Sequence, residues 1–281
     1  MQRERVTDDI YVFTSDLYVQ VTAGVIVTEQ GAVLIDTLAY PEETRLIKQF
    51  IENRLDTRVR YVINTHFHAD HTTGTSLFKG VDVVAHQHCR ELLDQRGRES
   101  MELTRSTSTN MDDLHLVLPN IVFDNELTLY LGNKTLRFWG TPGHSMDSVV
   151  CLVEEDQILF AADTVMPVPY FVDGSYDAFL ESLKGLQNRS FESIVQGHGE
   201  VVLRGEVESK IKNDIEYLEK LAHEVDSALN QPSPEHALGE ITIESCGKNR
   251  VLLNGAAQQL HRQNVFMLAD QRRESAGPVS K

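Results

Sequence analysis

Thiols are scarce in this chain. Its three cysteines, Cys89, Cys151 and Cys246, lie far apart, and no two form a Cys-x-x-Cys pair. That spacing argues against a disulfide framework and a thiolate zinc site, and it fits a reducing compartment. Long apolar runs are missing too. No window approaches the roughly eighteen uninterrupted apolar residues of a membrane-spanning helix, so no span is expected. The start, Met1-Gln2-Arg3-Glu4-Arg5, has basic residues with no apolar region behind them. No signal peptide is therefore expected, and the expected location is the cytoplasm. Positive charge is also short, with 26 Lys and Arg against 42 Asp and Glu, a formal net charge of −16. Polynucleotide binding is driven by Lys and Arg neutralising phosphates, so nucleic acid is a disfavoured partner. Bound divalent cations would offset part of the acid excess.

What is present reads as a globular chain of 281 residues with a hydrophobic fraction of 41%, enough for one large domain or two modest ones. Strands are expected at Ile10–Phe13, Ala23–Val27 and Ala32–Ile35, the last two joined through Glu29-Gln30-Gly31. Pro41-Glu42-Glu43 opens a helix, with proline at its start and acids in its first turn. Strands follow at Val59–Ile63 and Val81–Ala85, the second leading into a polar helix through about Arg96. Residues 97–118 are charged and rich in Ser and Thr, and read as a mobile insertion or a lid. Further strands are expected at Leu127–Leu131, Leu136–Trp139, Ser148–Val153, Ile158–Ala162 and Phe191–Val195, with a helix over Asp177–Gln187. Apolar residues at 211, 215, 218, 222, 225 and 229 step by four and three, which predicts a long amphipathic helix over 206–229. Gln231-Pro232-Ser233-Pro234 breaks the chain, and one more helix is expected from Arg250 to about Leu268.

Everything is organised around the end of the Val59–Ile63 strand. After Asn64-Thr65 come His66, Phe67, His68, Ala69, Asp70 and His71. Three imidazoles and a carboxylate in six positions are unsuited to core packing, because buried polar groups need partners. The plain alternative is a solvated histidine-rich turn. A metal supplies the missing partner instead. His66 and His68 alternate as on an extended chain and can reach one ion, while Asp70 and His71 sit one step round the turn, where a second could lie. Further candidates stand in loops after expected strands: His144, Asp163, His198 and Asp36. The donor set of imidazole and carboxylate suits zinc, iron or manganese. The other six histidines, His86 and His88 among them, read as solvated or locally hydrogen-bonded.

Taken together, His66-x-His68-x-Asp70-His71, His144 in Thr141-Pro142-Gly143-His144, Asp163 in Ala162-Asp163-Thr164 and His198 in Gly197-His198-Gly199 resemble the metallo-β-lactamase superfamily. The resemblance covers roughly residues 10–230. It implies an α/β (α+β) fold, a four-layer αβ/βα sandwich, here with a C-terminal helical extension. The expected division is a catalytic domain over 1–230, the extension over 231–270 and a flexible tail over 271–281. The resemblance further implies that His66, His68 and His144 hold one divalent ion, that Asp70, His71 and His198 hold a second, and that Asp163 bridges them. Zinc is the leading metal. Asp36 resembles an acid that orients a ligand from behind, with a turn or helix-cap role as the alternative. The implied activity is hydrolysis of a small ester-like molecule (a lactone, thioester, phosphodiester or β-lactam) by a metal-bridging hydroxide, with Asp70 moving its proton. Self-association is left open. An aspartate at 163 sets the chain apart from the β-lactamases that place cysteine there. Rival readings are a single-iron oxidoreductase resembling persulfide dioxygenases and a non-catalytic metal-binding domain. Specificity is expected from residues 97–118 and from Val165–Phe171, where Tyr170 is a candidate oxyanion donor.

This division of the histidines is testable by elemental analysis of single variants. His144→Ala and His198→Ala should each lose metal, and His86→Ala and His88→Ala should keep it. An essential role for His86 or His88 in metal binding would refute the assignment.

Overall fold

The computed structural model describes residues 1–99, 102 and 114–275. Thirteen described strands form two mixed sheets. The first sheet runs in spatial order β1 (Gln2–Arg5), β2 (Ile10–Thr14), β3 (Thr22–Thr28), β4 (Gly31–Ile35), β5 (Val59–Ile63), β6 (Asp82–His86) and β7 (Ile121–Phe123). It is antiparallel through β4 and parallel from β4 to β7. The second sheet contains β8 (Glu126–Leu131), β9 (Lys134–Gly140), β10 (Val149–Val153), β11 (Ile158–Ala162), β12 (Ser193–Gln196) and β13 (Val202–Leu203), in the spatial order β13-β12-β11-β10-β9-β8. Only β11 and β12 pair in parallel there.

The period of two explains the layering. In β10, Val149, Cys151 and Val153 point into the core between the sheets, and Val150 and Leu152 point outward under helices. Both faces are covered, so the strand is apolar throughout. Val33, Ile35, Ile63 and Val84 of the first sheet meet Phe138, Cys151, Phe160 and Val195 of the second. The sheets approach closely at Gly24, where a Cβ would overlap the Phe160 ring. On the first sheet's outer face lie Ile47 and Ile51 of α1 (Pro41–Asn53). On the second sheet's outer face pack α4 (Tyr176–Gln187), α5 (Val207–Leu229), α6 (Pro234–Gly239) and α7 (Ala256–Ser275). This is the four-layer αβ/βα sandwich. Short helices α2 (Ala69–Thr72) and α3 (Gln87–Leu92) lie at the sheet ends. No described helix is long and apolar enough to cross a membrane.

Several elements differ from expectation. β1, β7 and β13 carry too few alternating apolar residues to stand out, and pairing with a neighbour defines them. The polar helix after β6 begins as α3, widens into a π-helical turn at Leu93–Gly97 and is still helical at Arg98 and Glu99, so it reaches past the expected end at Arg96. The last helix starts at Ala256, not Arg250, because Leu253, Asn254 and Gly255 all adopt positive φ and break the register. It then runs to Ser275, past the expected start of the tail, and Gln271 is tied to Tyr176 and Gly174. Residues 276–281 lie outside the described residues, as do 100, 101 and 103–113 of the expected lid. At the edges of that segment, Leu116 and Leu118 pack on Phe67 and Leu93.

A buried charge cluster fastens α5 to its surroundings. Asp214 is fully buried and is held by Lys210 and by Lys248, the latter at 2.5 Å. Lys210 also donates to the Met166 carbonyl, in the loop after β11. Removing one partner of a buried ion pair typically costs about 3–5 kcal/mol. Asp214→Asn, which leaves two ammonium groups facing a neutral amide, should lower unfolding free energy by about that amount in urea titration.

Candidate metal centre

All the candidate donors leave the sheets at one end. Asp36 follows β4, the His66–His71 run follows β5, His144 follows β9, Asp163 follows β11 and His198 follows β12. Backbone bonds between the sheets fix that end: Val149 N–H donates to the Thr65 carbonyl at 3.0 Å, and Thr22 N–H to the Gly197 carbonyl at 2.8 Å. Asp70 and His71 ride on α2, the single helical turn after the histidine pair.

The structure brings all seven expected ligands together. His66 Nε2 lies 3.1 Å from His68 Nδ1, and His144 Nε2 lies 2.8 Å from the same atom. His71 Nε2 is 3.2 Å from Asp163 Oδ1 and 3.8 Å from Asp70 Oδ2, while His198 Nε2 is 3.4 Å from Asp70 Oδ2 and 3.5 Å from Asp163 Oδ2. His144 Nε2 is 3.2 Å from Asp163 Oδ2, so Asp163 touches both groups. Three sets of donor atoms fall within 4.8 Å of one another: His66, His68 and His144; His66, His71 and Asp163; and Asp70, His71 and His198.

The outward-facing nitrogens settle what the inward-facing ones can do. His144 Nδ1 donates to the Tyr170 carbonyl at 2.6 Å, and His198 Nδ1 to the Val19 carbonyl at 2.8 Å. His71 Nδ1 donates to Asp36 Oδ2 at 2.8 Å, and His68 Nε2 donates to Asp173 Oδ2 at 2.8 Å. Thr65 gives its hydroxyl proton to Asp36, so its oxygen accepts from His66 Nδ1 at 3.1 Å. Every outer nitrogen thus carries a proton, and a neutral ring then has a bare lone pair on its inner nitrogen. Lone pairs at 2.8–3.1 Å repel unless something positive lies between them. Among the buried side-chain atoms, His71 Nε2 and Asp163 Oδ1 have no hydrogen-bond partner, as expected of atoms that bind a cation. These residues fit divalent ions.

Charge divides the centre. Burial, with His71 and His68 nearby, holds His66 well below the usual imidazole range, and burial holds His144 down to about 4. Those rings stay neutral. Burial also opposes charge on His71 and His198, but Asp163 and Asp70 outweigh it, raising His71 well above its usual value and His198 to about 10. A cation entering among these carboxylates takes the place of those protons. Against the penalty of burial, His71 and His198 lower Asp70 to about 2.

Asp36 accepts from Thr65 N–H at 2.9 Å, the Thr65 hydroxyl at 2.7 Å and His71, so it orients two candidate donors from behind, His71 directly and His66 through Thr65. Asp173 does the same for His68 and is held in turn by Arg96 at 2.8 Å. Neither Asp173 nor Arg96 stands in a recognisable motif; proximity in the fold alone reveals them. Tyr18, Tyr40, Met166, Tyr170 and Leu260 join the ligands around a cavity of about 610 Å³, within the range of ligand pockets. Asp70 beside it, together with burial, pushes the Tyr18 phenol up to about 12, so it stays protonated. The Tyr170 hydroxyl donates to Gln263 on α7 at 2.9 Å.

Fold and donor set together define a metallo-β-lactamase-type protein. Residues 18–206 match the family model described as the metallo-beta-lactamase superfamily, and the chain belongs to that superfamily. It is 23% identical over 201 residues to "Beta-lactamase-like protein 2 homolog" of Caenorhabditis elegans, covering 71% of this chain and 62% of that one. It is 25% identical to "Thioesterase pkgB" of Emericella nidulans, covering 63% and 45%, and 25% identical to "Metallo-beta-lactamase type 2" of Pseudomonas aeruginosa, covering 70% and 77%. The chain spans 53–62% of the length of the first three curated relatives. Among solved structures, a metallo-beta-lactamase from Pontibacter korlensis superposes with a TM-score of 0.65 at 21% identity, covering 78% of this chain and 98% of that one.

Gly197 tests the packing of the centre. A Cβ there would overlap Asp163 Oδ1 and lie 2.6 Å from the Ala162 carbonyl carbon. Gly197→Ala should lower bound metal by at least one equivalent and cost about 1–3 kcal/mol of stability. Gly205→Ala, where a Cβ meets nothing within 4 Å, is the control. Equal metal content and unfolding midpoints in the two variants would show that Asp163 has room to move.

Proposed function

We propose that this protein is a binuclear metal-dependent hydrolase acting on a small ester-like substrate. The observation that carries the reading is the convergence of five inner imidazole nitrogens and two carboxylates in three overlapping donor sets, with Asp163 in contact with His71, His144 and His198. Two divalent ions held there, zinc foremost, would polarise the substrate oxygen and lower the pKa of a water molecule to about 7. His66, His68 and His144 would hold one ion, Asp70, His71 and His198 the other, and Asp163 both.

The chain's own residues do the rest. Asp70 lines the cavity wall and is partly exposed, so its carboxylate is reachable by the attacking water and by the leaving group. It takes the proton from one and returns it to the other. Tyr170 is the candidate donor to the developing oxyanion, and it exchanges Gln263 for that oxygen. Relatives named as a thioesterase and as a β-lactamase support acyl transfer to water as the reaction class. A single-iron oxygenase is the competing reading, and it needs one ion where this reading needs two.

Protein purified without chelator should carry close to two metal equivalents by elemental analysis. Asp70→Asn should lower turnover by about 10²–10⁴, the usual worth of general acid–base catalysis, when measured at matched metal content. One equivalent with full activity and oxygen uptake would sink the binuclear hydrolase.

A further inference from the structure

The wall of the cavity carries information that the metal ligands do not. Tyr18 and Tyr40 stand with ring centroids 6.4 Å apart, and Met166, Val172 and Leu260 complete an apolar lining. Among the described residues lining this cavity there is no lysine or arginine. Arg96 lies in the neighbouring cavity, committed to Asp173 at 2.8 Å and stacked over Phe67 at 4.8 Å, and Lys210, on the Met166 carbonyl, is committed to Asp214. Charge at the reacting centre is met at the ligands, so the informative charge is one carried elsewhere on the substrate. A carboxylate or phosphate lying along this wall would lose water and gain no ionic partner, an unfavourable exchange. The chain's net charge of −16 adds to that penalty.

Leu260 belongs to α7, outside the family-matched residues 18–206. The helix is fixed against the site loop: Asn264 Nδ2 donates to the Pro169 carbonyl at 2.6 Å and to Tyr217 Oη at 3.1 Å, and Gln263 accepts from Tyr170. Resting on the hydrolase reading above, we infer that the cavity takes an ester, thioester or lactone whose acyl group is uncharged and apolar, lying against Leu260 of the last helix.

The test uses metal-loaded protein and a series of N-acetylcysteamine thioesters. Three acyl groups are compared: acetyl, octanoyl, and an acyl chain of octanoyl length ending in a carboxylate. For the neutral acyl series, kcat/KM should rise about three- to fourfold per methylene that reaches the wall. The terminal carboxylate should lower it by at least about 100-fold relative to octanoyl, given what an unpaired buried charge costs. Leu260→Ala should shrink the octanoyl-to-acetyl ratio about tenfold or more, and Leu260→Lys should shift preference toward the carboxylate. Binding of the non-hydrolysable methyl octyl thioether, followed by calorimetry against its methyl propyl homologue, reads the wall without chemistry. Hydrolysis with a flat length dependence, or with preference for the carboxylate, overturns this inference and leaves the hydrolase reading intact. Tighter binding of the longer thioether with no hydrolysis of any thioester does the reverse. Neither binding nor hydrolysis overturns both.

Discussion

Two carboxylates buried in the seam between the sheets are the constraint on which the rest depends. Asp163 is 4% exposed, and Asp36 behind it is 3% exposed. Carboxylates at such depth demand compensation. Asp36 obtains it from Thr65 and His71, and so braces two candidate donors, His71 directly and His66 through Thr65. Asp163 faces His71, His144 and His198 together. The imidazoles are in turn held from behind by backbone carbonyls, a hydroxyl and carboxylates. The result is a set of inner donor atoms whose direction the fold fixes, so a cation meets a preorganised cage.

Holding those directions strains the backbone. Val19, Gln20, Asp36, Leu38 and Ala162, all next to the centre, adopt positive φ without being glycine. Such residues cost about 1–3 kcal/mol each and persist only where the surroundings over-determine them. The surroundings are visible here. Val19 and Gln20 turn so that their carbonyls accept from His198 and from Gly199 N–H at 2.8 Å each. The β11–β12 register shifts between Phe160 and Ala162, and Ala162 then swings Asp163 into the seam, where Gly197 N–H caps the Ala162 carbonyl at 2.7 Å. Gly197 has to be glycine because Asp163 occupies the space of its Cβ.

The central strands are legible in the sequence because burial leaves a mark: runs such as Ala32–Ile35 and Ile158–Ala162 are apolar and each ends at an aspartate. The donors were legible because histidine and aspartate recur at strand ends beside glycine. The supporting partners were not. Asp173 looks like any loop acid, and the Val19 carbonyl has no side-chain signature at all. β1, with every residue exposed, and β13, of two residues, are defined by pairing and not by composition. The start of α7 is hidden for a similar reason. Leu253, buried and without a glycine's freedom, adopts a left-handed conformation that its residue type does not signal.

The division of labour between strand ends and outer elements explains how one donor cage can serve different substrates. The ligands hang from strands locked by inter-sheet bonds, where a shift of one residue would reverse every side chain. Besides Tyr18 and Tyr40, the wall comes from the loop after Asp163 and from α7. These are fastened to the body by separate devices: Lys210 to the Met166 carbonyl, Asn264 to the Pro169 carbonyl, and Gln263 to Tyr170. The first two fasten main chain, which leaves the side chains facing the cavity free to differ. Residues such as Leu260 and Val172 can therefore change the shape and polarity of the pocket while Asp163 and its histidines stay fixed. Under the proposed reading, specificity would then be set by contacts that cost the cage nothing, with the donor set carrying the chemistry and the last helix contributing to the choice of substrate.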